Sequence, residues 1–419
     1  MVDGFATTVP LGDLVDDVTV GHVGSMVDEY RSSGVPFLRS TNILPYRLDT
    51  ADVVYIGRGF HERLRKSALR PGDLVVVRTG KPGTACVIPE SLGEANCSDL
   101  VIVRPGKRAD ARFLAYFING MAAGHVEAYA VGAVQQHFNI GEAKRLPVPA
   151  LHVDEQRAIA DVLGALDEKV ELNRQVNYTL EEMASALFKS WFVDFDPIVA
   201  NADGRKPFGM DATTAALFPA DFVDAVPRGW RPGVLGEVCQ NFDSRRVPLS
   251  GAERAKRHGR YPYHGAAGVL DHVDEFLFEG VHLLVGEDGS VVDADGRAVR
   301  QYVWGQFWVN NHAHVLRGIG GVSTEWLYLY FGVELVDPIV TGAVQPKITQ
   351  GNLNRLPVVL PPAPVLRAFT DRVDPWFALR RQHDDESRTL TALRDTLLPK
   401  LLSGEVRLKQ AEKLVEAAL

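Results

Sequence analysis

The chain is poor in cysteine, in net positive charge and in long apolar runs, and each shortage excludes something. Cys86, Cys97 and Cys239 are the only three thiols in 419 residues. Their irregular spacing encodes neither a disulfide framework nor a CxxC-type metal site, so they are expected to be buried thiols. No stretch approaches the roughly 20 uncharged apolar residues of a membrane span. The opening MVDGFATTVPLGDL has neither a basic n-region nor an apolar h-region. A cytoplasmic protein without a membrane partner is therefore expected. With 45 Lys and Arg against 53 Asp and Glu, the net charge is -8. That argues against a protein that wraps nucleic acid by charge alone, because phosphate neutralisation supplies most non-specific affinity. It leaves room for local basic faces and for partner subunits that bring charge.

Catalytic signatures are missing too. There is no GxxxxGK[ST] phosphate loop. Leu360-Pro361-Pro362-Ala363 is not the Asn/Asp-Pro-Pro-aromatic loop of a base methyltransferase. Asp73 ahead of Lys81, and Glu287-Asp288, each lack the second acid before a lysine that a metal-dependent nuclease needs. No catalytic residue is expected, and the chain is read as non-enzymatic. What is present is apolar material: 46% hydrophobic residues are enough for the cores of two or three globular domains.

An internal repeat organises this material. Gly132-Ala133-Val134-Gln135 is followed by Arg145-Leu146-Pro147-Val148, and Gly342-Ala343-Val344-Gln345 by Arg355-Leu356-Pro357-Val358, with nine residues between the two blocks in both cases. Nine of the seventeen positions in 132–148 are identical to their counterparts in 342–358, at a constant offset of 210. Downstream, Arg157-Ala158 and Asp161 match Arg367-Ala368 and Asp371 at the same offset.

Behind each repeat lies a seam. Ile159, Leu163, Leu166, Val170, Asn173, Asn177, Leu180, Ala184, Leu187 and Trp191 alternate by four and three residues, the spacing of a coiled coil. A helix over about 154–191 follows. The offset predicts a partner seam at Phe369, Val373, Trp376, Arg380, His383, Ser387, Leu390, Leu397 and Leu401. Pairing is assigned to Leu163, Leu166, Val170, Asn173, Asn177, Leu180 and Leu187 on the first helix, and to Val373, Trp376, His383, Leu390 and Leu397 on the second. Polar seam positions weaken packing but fix register. Pro375 predicts a kink or a late start in the second helix.

Upstream of each helix, β-rich runs precede a short helix. In the first half these are 73–78, 100–104 and the helix 111–119, with Asp110 as its N-cap. In the second they are 281–285, 314–317 and the helix 325–331. The predicted class is α+β, with two mixed α/β globules separated by two long antiparallel coiled-coil helices in a pseudo-twofold repeat. The boundaries are 1–150 (first globule), 151–192 (first helix), 193–224 (a proline- and glycine-containing linker), 225–361 (second globule), 362–403 (second helix) and 404–419 (C-terminal tail). A helix of about 38 residues spans roughly 57 Å and would act as a ruler between two half-sites on a duplex.

The sequence resembles the specificity subunits of type I restriction-modification systems. The resemblance rests on GAVQ and RLPVPALHVDEQRAIADVLGALDEKVELNRQ within 132–175, LFKSWFVDFDPI at 187–198, YPYHGAAGVLD at 261–271, GEDGSV at 286–291, NNHAHVL at 310–316 and LLPKLLSGEVR at 397–407. It covers nearly the whole chain, and the order of these fragments is more specific than any one of them. It implies two target-recognition domains, a bipartite and asymmetric double-stranded DNA target, and a scaffold that docks two modification methyltransferase subunits, joined by restriction and translocase subunits. S-adenosylmethionine, ATP and Mg2+ would belong to those partners, with no cofactor on this chain. The second half has Pro364-Val365-Leu366 where the first has Asp154-Glu155-Gln156, which implies less symmetric docking. A protein-binding adaptor of a related phage-defence complex, one that does not read DNA, is the alternative.

Within this resemblance several groups are candidates for DNA contact. Arg78, Thr79 and Lys81 lie in a glycine-rich turn after a predicted strand, which suits phosphate contact or guanine reading. Gln135 with His137, and Gln345 with Lys347, occupy equivalent repeat positions. Gln can pair with adenine, but a feature shared by two domains that read different sequences suits a role in the fold or a contact to the DNA backbone rather than base reading. Arg245, Arg246, Arg254, Lys256, Arg257, His258 and Arg260, followed by Tyr261, Tyr263 and His264, form the densest basic stretch. Arg39 and Asn42 are the candidates from the corresponding region of the first half. His312 and His314 stand at i, i+2 with no third ligand at metal spacing, so no metal is expected and the NNHAH segment is read as hydrogen bonding at a loop-to-strand junction.

Overall fold

The computed structural model describes residues 7–26, 28–122, 138–342 and 344–419. The chain divides into two compact units. Unit 1 comprises 1–172 with 385–419, and unit 2 comprises 173–384. Both cuts fall inside the two 40-residue helices, Val153–Phe192 and Ala363–Leu402. Each unit therefore holds one half of each helix.

The units repeat one sheet plan that the sequences barely reveal. In unit 1 a four-stranded antiparallel sheet runs in the order Ala85–Val87, Leu74–Val77, Leu100–Arg104, Asp17–Val20. In unit 2 the order Arg300–Val303, His282–Gly286, Ala313–Gly318, Cys239–Asn241 is equivalent. A second sheet in each carries one parallel pair, Val35–Leu38 with Ala95–Cys97 and His258–His264 with Gln306–Val309. Unit 1 adds the edge strand Tyr30–Arg31. A two-stranded ribbon closes each globule, Thr8–Pro10 with Pro147–Pro149 and Arg231–Val234 with Pro357–Leu360.

Strand periodicity explains the layering. Side chains alternate across a strand, so Leu74, Val76, Val101 and Val103 share a core with the short helix Ala111–Phe117 and with Ile159, Leu163, Leu166, Leu397 and Leu401 of the long helices. Val75, Val77, Leu100 and Ile102 face the second sheet, with Leu38, Cys86 and Cys97. Unit 2 is layered alike, with Leu283, Val285 and Leu316 toward Trp326, Phe188 and Phe369, and Leu284 and Val315 toward Phe278 and Phe307. Both short helices begin on a side-chain cap. Asp110 accepts from the backbone N–H of Arg112 and Phe113, and Ser323 from that of Trp326. All three cysteines are buried free thiols.

The helices run antiparallel within each unit. In unit 2 the Asn173 amide donates to the His383 carbonyl (3.4 Å), and the Asn177 amide donates to the Arg380 carbonyl (3.3 Å) and to Asp384 (2.8 Å). His383 Nδ1 lies 3.0 Å from Asn177 Oδ1. In unit 1, Leu163 and Leu166 are buried with Leu390 and Leu397, and Val170 packs at the edge of that cluster. Val373 is buried in unit 2, whereas Leu187 and Trp376 are only partly buried and Leu180 is half-exposed.

Three expectations need correction. The seam passes through Phe377 rather than Trp376, because a straight helix of 3.6 residues per turn drifts away from a strict heptad. The second helix does not start late. It begins at Ala363 and continues through Pro375; one lost backbone donor is outweighed by burial of Phe369, Val373 and Phe377 on either side. The segment 193–224 is not a bare linker, since Asp196–Ala202 and Ala212–Ala215 are helices and Ile198, Met210 and Phe218 enter the core of unit 2.

One core residue makes unit 2 sensitive to acid. His282 is enclosed by the rings of Phe242, Phe278 and Phe307 at 5.4–5.7 Å. Burial pushes its pKa from 6.5 down to about 4, with the Gly280 carbonyl opposing and the charges of Arg317 and Arg245 reinforcing the shift. Below pH 6.5 the unfolded chain takes up a proton that the folded chain refuses. The contribution is thus complete above pH 6.5 and is lost as pH falls toward 4, by about 3 kcal/mol at the lower end. Urea unfolding at pH 7 and pH 4 should show that loss in the native chain and a smaller one in His282→Leu.

Candidate nucleic-acid interface

The loops that follow the equivalent strands Leu74–Val77 and His282–Gly286 each carry a polar network. In unit 1, Arg78 leaves the strand Leu74–Val77 with Nη1 on Asp99 (2.6 Å) and Nε on the Phe138 carbonyl (3.2 Å). Thr79 donates to the other Asp99 oxygen (2.9 Å). Asp99 adopts φ 51°, so the turn is fixed by an ion pair on an unusual backbone. Lys81 is exposed in the adjoining glycine turn. Gln135 and His137 lie outside the described residues.

Unit 2 fills the same place with a different network. Glu287 follows the strand His282–Gly286; it accepts from Arg246 Nη1 (2.6 Å) and pairs with Lys347 (3.2 Å). His314 is fully buried, with Nδ1 2.5 Å from Asp243 Oδ2 and Nε2 2.8 Å from the Ile348 carbonyl. Burial raises the Asp243 pKa, but the His314 hydrogen bond and charge, and the Val315 and Asn241 donors, outweigh it and hold the carboxyl below its ordinary value. His312 pairs with Asp288. Asp243, Glu287 and His314 lie close enough together to ligate a cation. Arg246 and Lys347 already balance the carboxylates, however, and a metal would have to displace them.

The dense basic stretch is less basic in space than in sequence. Arg254 pairs with Asp271, and Arg257 with Asp274 and Glu275, acids carried by or following the neighbouring strand Val269–Val273. Arg245, Lys256 and Arg260 keep exposed positions; Arg245 donates to the Leu277 carbonyl and lies over Phe278, and Arg260 lies over Tyr261. Tyr261 is half-buried and Gln345 exposed.

Four candidates point inward. Arg246, with 11% of its side chain exposed, is spent on Glu287 and the Ala313 carbonyl. Tyr263 is buried, with its hydroxyl accepting from the Leu249 N–H. His264 is buried, with Nδ1 on Gln301. Asn42, 1% exposed, braces its own turn through the Arg39 N–H and the Asp49 carbonyl. Arg39 is tied to the Asp52 carbonyl. These residue types suit DNA, but the tertiary fold uses them.

Sequence reasoning missed Asp99, Asp243 and Glu287 as partners, and also two clasps between globule and helices. In unit 1, Tyr116 donates to Asp167 (2.6 Å), which pairs with Arg394; the Arg394 guanidinium lies 4.1 Å from the centre of the Tyr46 ring. In unit 2, Tyr328 donates to Glu181, which pairs with Arg380. A polar seam position was the available signal: Arg380 is one, and Arg394, at the offset of 210 from Ala184, falls on the same seam between Leu390 and Leu397.

The profile of the type I restriction modification DNA specificity domain matches residues 227–366. Along most of its length the chain is similar to type I restriction enzyme specificity subunits. The chain is 21% identical over 408 residues to the type I restriction enzyme MjaIX specificity subunit of Methanocaldococcus jannaschii, covering 92% of this chain and 89% of that one. It is 26% identical over 321 residues to the type I restriction enzyme HindI specificity subunit of Haemophilus influenzae, covering 60% and 67%. Its fold is like that of the type I restriction-modification S subunit from M. genitalium, with TM-score 0.51 and 16% identity over 95% of this chain and 96% of that one. No helix among the described residues is long and apolar enough to cross a membrane.

Proposed function

We propose that this chain is a type I specificity subunit that reads an asymmetric, bipartite double-stranded DNA target, one half-site per globule. The observation that carries this is the duplicated two-sheet plan with different residues at the same loop positions, Arg78 and Thr79 in one unit and Glu287 and Asp288 in the other. Equivalent scaffolds with different loop chemistry suit two different half-sites in the major groove. The paired helices set the unread spacer and dock two modification methyltransferase subunits, to which restriction and translocase subunits are added. Those partners carry S-adenosylmethionine, ATP and Mg2+ and perform the chemistry, extruding an adenine from the stack for methylation. This chain supplies recognition and positioning and no catalytic group.

The test is co-expression with the cognate methyltransferase followed by methylome sequencing. A methylated motif in two parts separated by a fixed unread gap is expected. An active, assembled complex with no such motif would instead favour a protein-binding adaptor.

A further inference from the structure

The two globules hold the same backbone carbonyl in two unrelated ways. The Phe138 N–H donates to the Arg78 carbonyl (3.2 Å), and the Ile348 N–H donates to the Glu287 carbonyl (2.8 Å). Phe138 and Ile348 stand at the repeat offset of 210. Strand register agrees, pairing Val77 with Leu100 in one sheet and Gly286 with Ala313 in the other. The Phe138 carbonyl then accepts from Arg78 Nε (3.2 Å), and the Ile348 carbonyl faces His314 Nε2 (2.8 Å). A carbonyl can only accept, so Nε2 carries a proton. By register Arg78 matches Glu287, and His314 matches Val101, a buried apolar residue. The sheet itself therefore requires neither anchor.

What the second anchor holds is the end of the segment 344–348. Thr341 and Lys347 exchange two backbone hydrogen bonds (2.8 Å each), and the Gly289 N–H donates to the Pro346 carbonyl (3.0 Å). Gly342 has φ +89°, where a Cβ would lie 2.3 Å from the Gln345 oxygen, so the turn requires glycine. On this closed frame Val344 is 99% exposed, and Gln345 and Pro346 are exposed beside it. Among the described residues of its own globule, no hydrogen bond engages the Gln345 amide and no core takes up Val344. Gly-Ala-Val-Gln also occurs in both halves. A sequence common to two readers of different half-sites, and exposed at Val344 and Gln345 in the second, suits what half-sites share, which is the sugar-phosphate backbone rather than a base pattern.

We propose that the segment 344–347 is a backbone-contacting DNA element, that His314, oriented by Asp243, is its positioning residue, and that Arg78 plays the equivalent part at Phe138. This rests on the DNA-specificity reading above.

The test uses the full chain assembled with its methyltransferase on the methylated motif, with ethylation interference to map the phosphates that matter. Gln345→Ala, a surface change, should weaken binding about threefold and erase interference in one half-site only. His314→Leu should weaken it about tenfold with the same footprint loss, and His314→Gln, whose amide can still donate to Ile348, should restore it. Arg78→Met should erase interference in the other half-site. Unchanged interference in Gln345→Ala and His314→Leu would overturn the proposal. So would failure of Gln345→Ala to assemble, which would assign the loop to the partner protein. Failure of the native complex to bind the motif would instead remove the recognition reading itself.

Discussion

Replacing Trp191 by alanine is expected to destabilise unit 2 by about 3–5 kcal/mol. The side chain is 1% exposed, and its ring lies 5.0 Å from Phe218, 5.7 Å from Phe369 and 6.2 Å from Phe192. It joins three parts of the chain, namely the C-terminal half of the first long helix, the connector that follows it, and the N-terminal half of the second helix. Removing it deletes one of the largest buried side chains and leaves a void lined by rigid rings that collapse poorly. For a unit of this size such a loss lowers the melting temperature by on the order of 10 °C. Calorimetry of the full chain should show one transition moved by that amount, and Trp191→Phe should move it less. A shift corresponding to under about 1 kcal/mol would mean that the connector is not part of the core.

Replacing Arg394 by methionine should cost unit 1 about 2–3 kcal/mol. Its guanidinium reaches Asp167 and Asp395 and covers the Tyr46 ring, and Tyr116 donates to the same Asp167. Only 10% of the Arg394 side chain and 22% of the Asp167 side chain are exposed. Removing one partner of such a pair leaves a poorly solvated carboxylate, and the penalty comes mostly from that orphaned charge. The partial exposure of Asp167 places the expected value at the low end. Adding Asp167→Asn should recover part of the loss, because the amide keeps an acceptor for Tyr116 and carries no charge. Urea unfolding of the two single variants and the double variant measures this coupling. If the double variant is as unstable as Arg394→Met, packing over Tyr46 dominates and the ion pair does not.

These residues show what the sequence carried and what it did not. The offset of 210 and the four-three alternation are local signals, so both long helices and the antiparallel pairing were legible within a residue or two at their ends. The sheets were not, because their equivalence lies in strand order while the side chains diverge, with Val101 in one globule where the other has His314. Charge misled for a related reason. Arg254 and Arg257 read as a basic face until the neighbouring hairpin segment brings Asp271, Asp274 and Glu275 against them. Periodicity reports which way a side chain faces and is silent on its partner. Arg394 is the clearest case: it occupies a seam position, and only the fold supplies Asp167 and Tyr46.

The central claim, that each globule reads its own half of the DNA target, is tested most directly by exchanging residues 1–150 for the corresponding domain of another specificity subunit. The methylome is then sequenced after co-expression with the cognate methyltransferase. The account predicts a methylated motif in which one half changes while the other half and the unread gap stay as they were. A motif altered in both halves, or in neither, would contradict it.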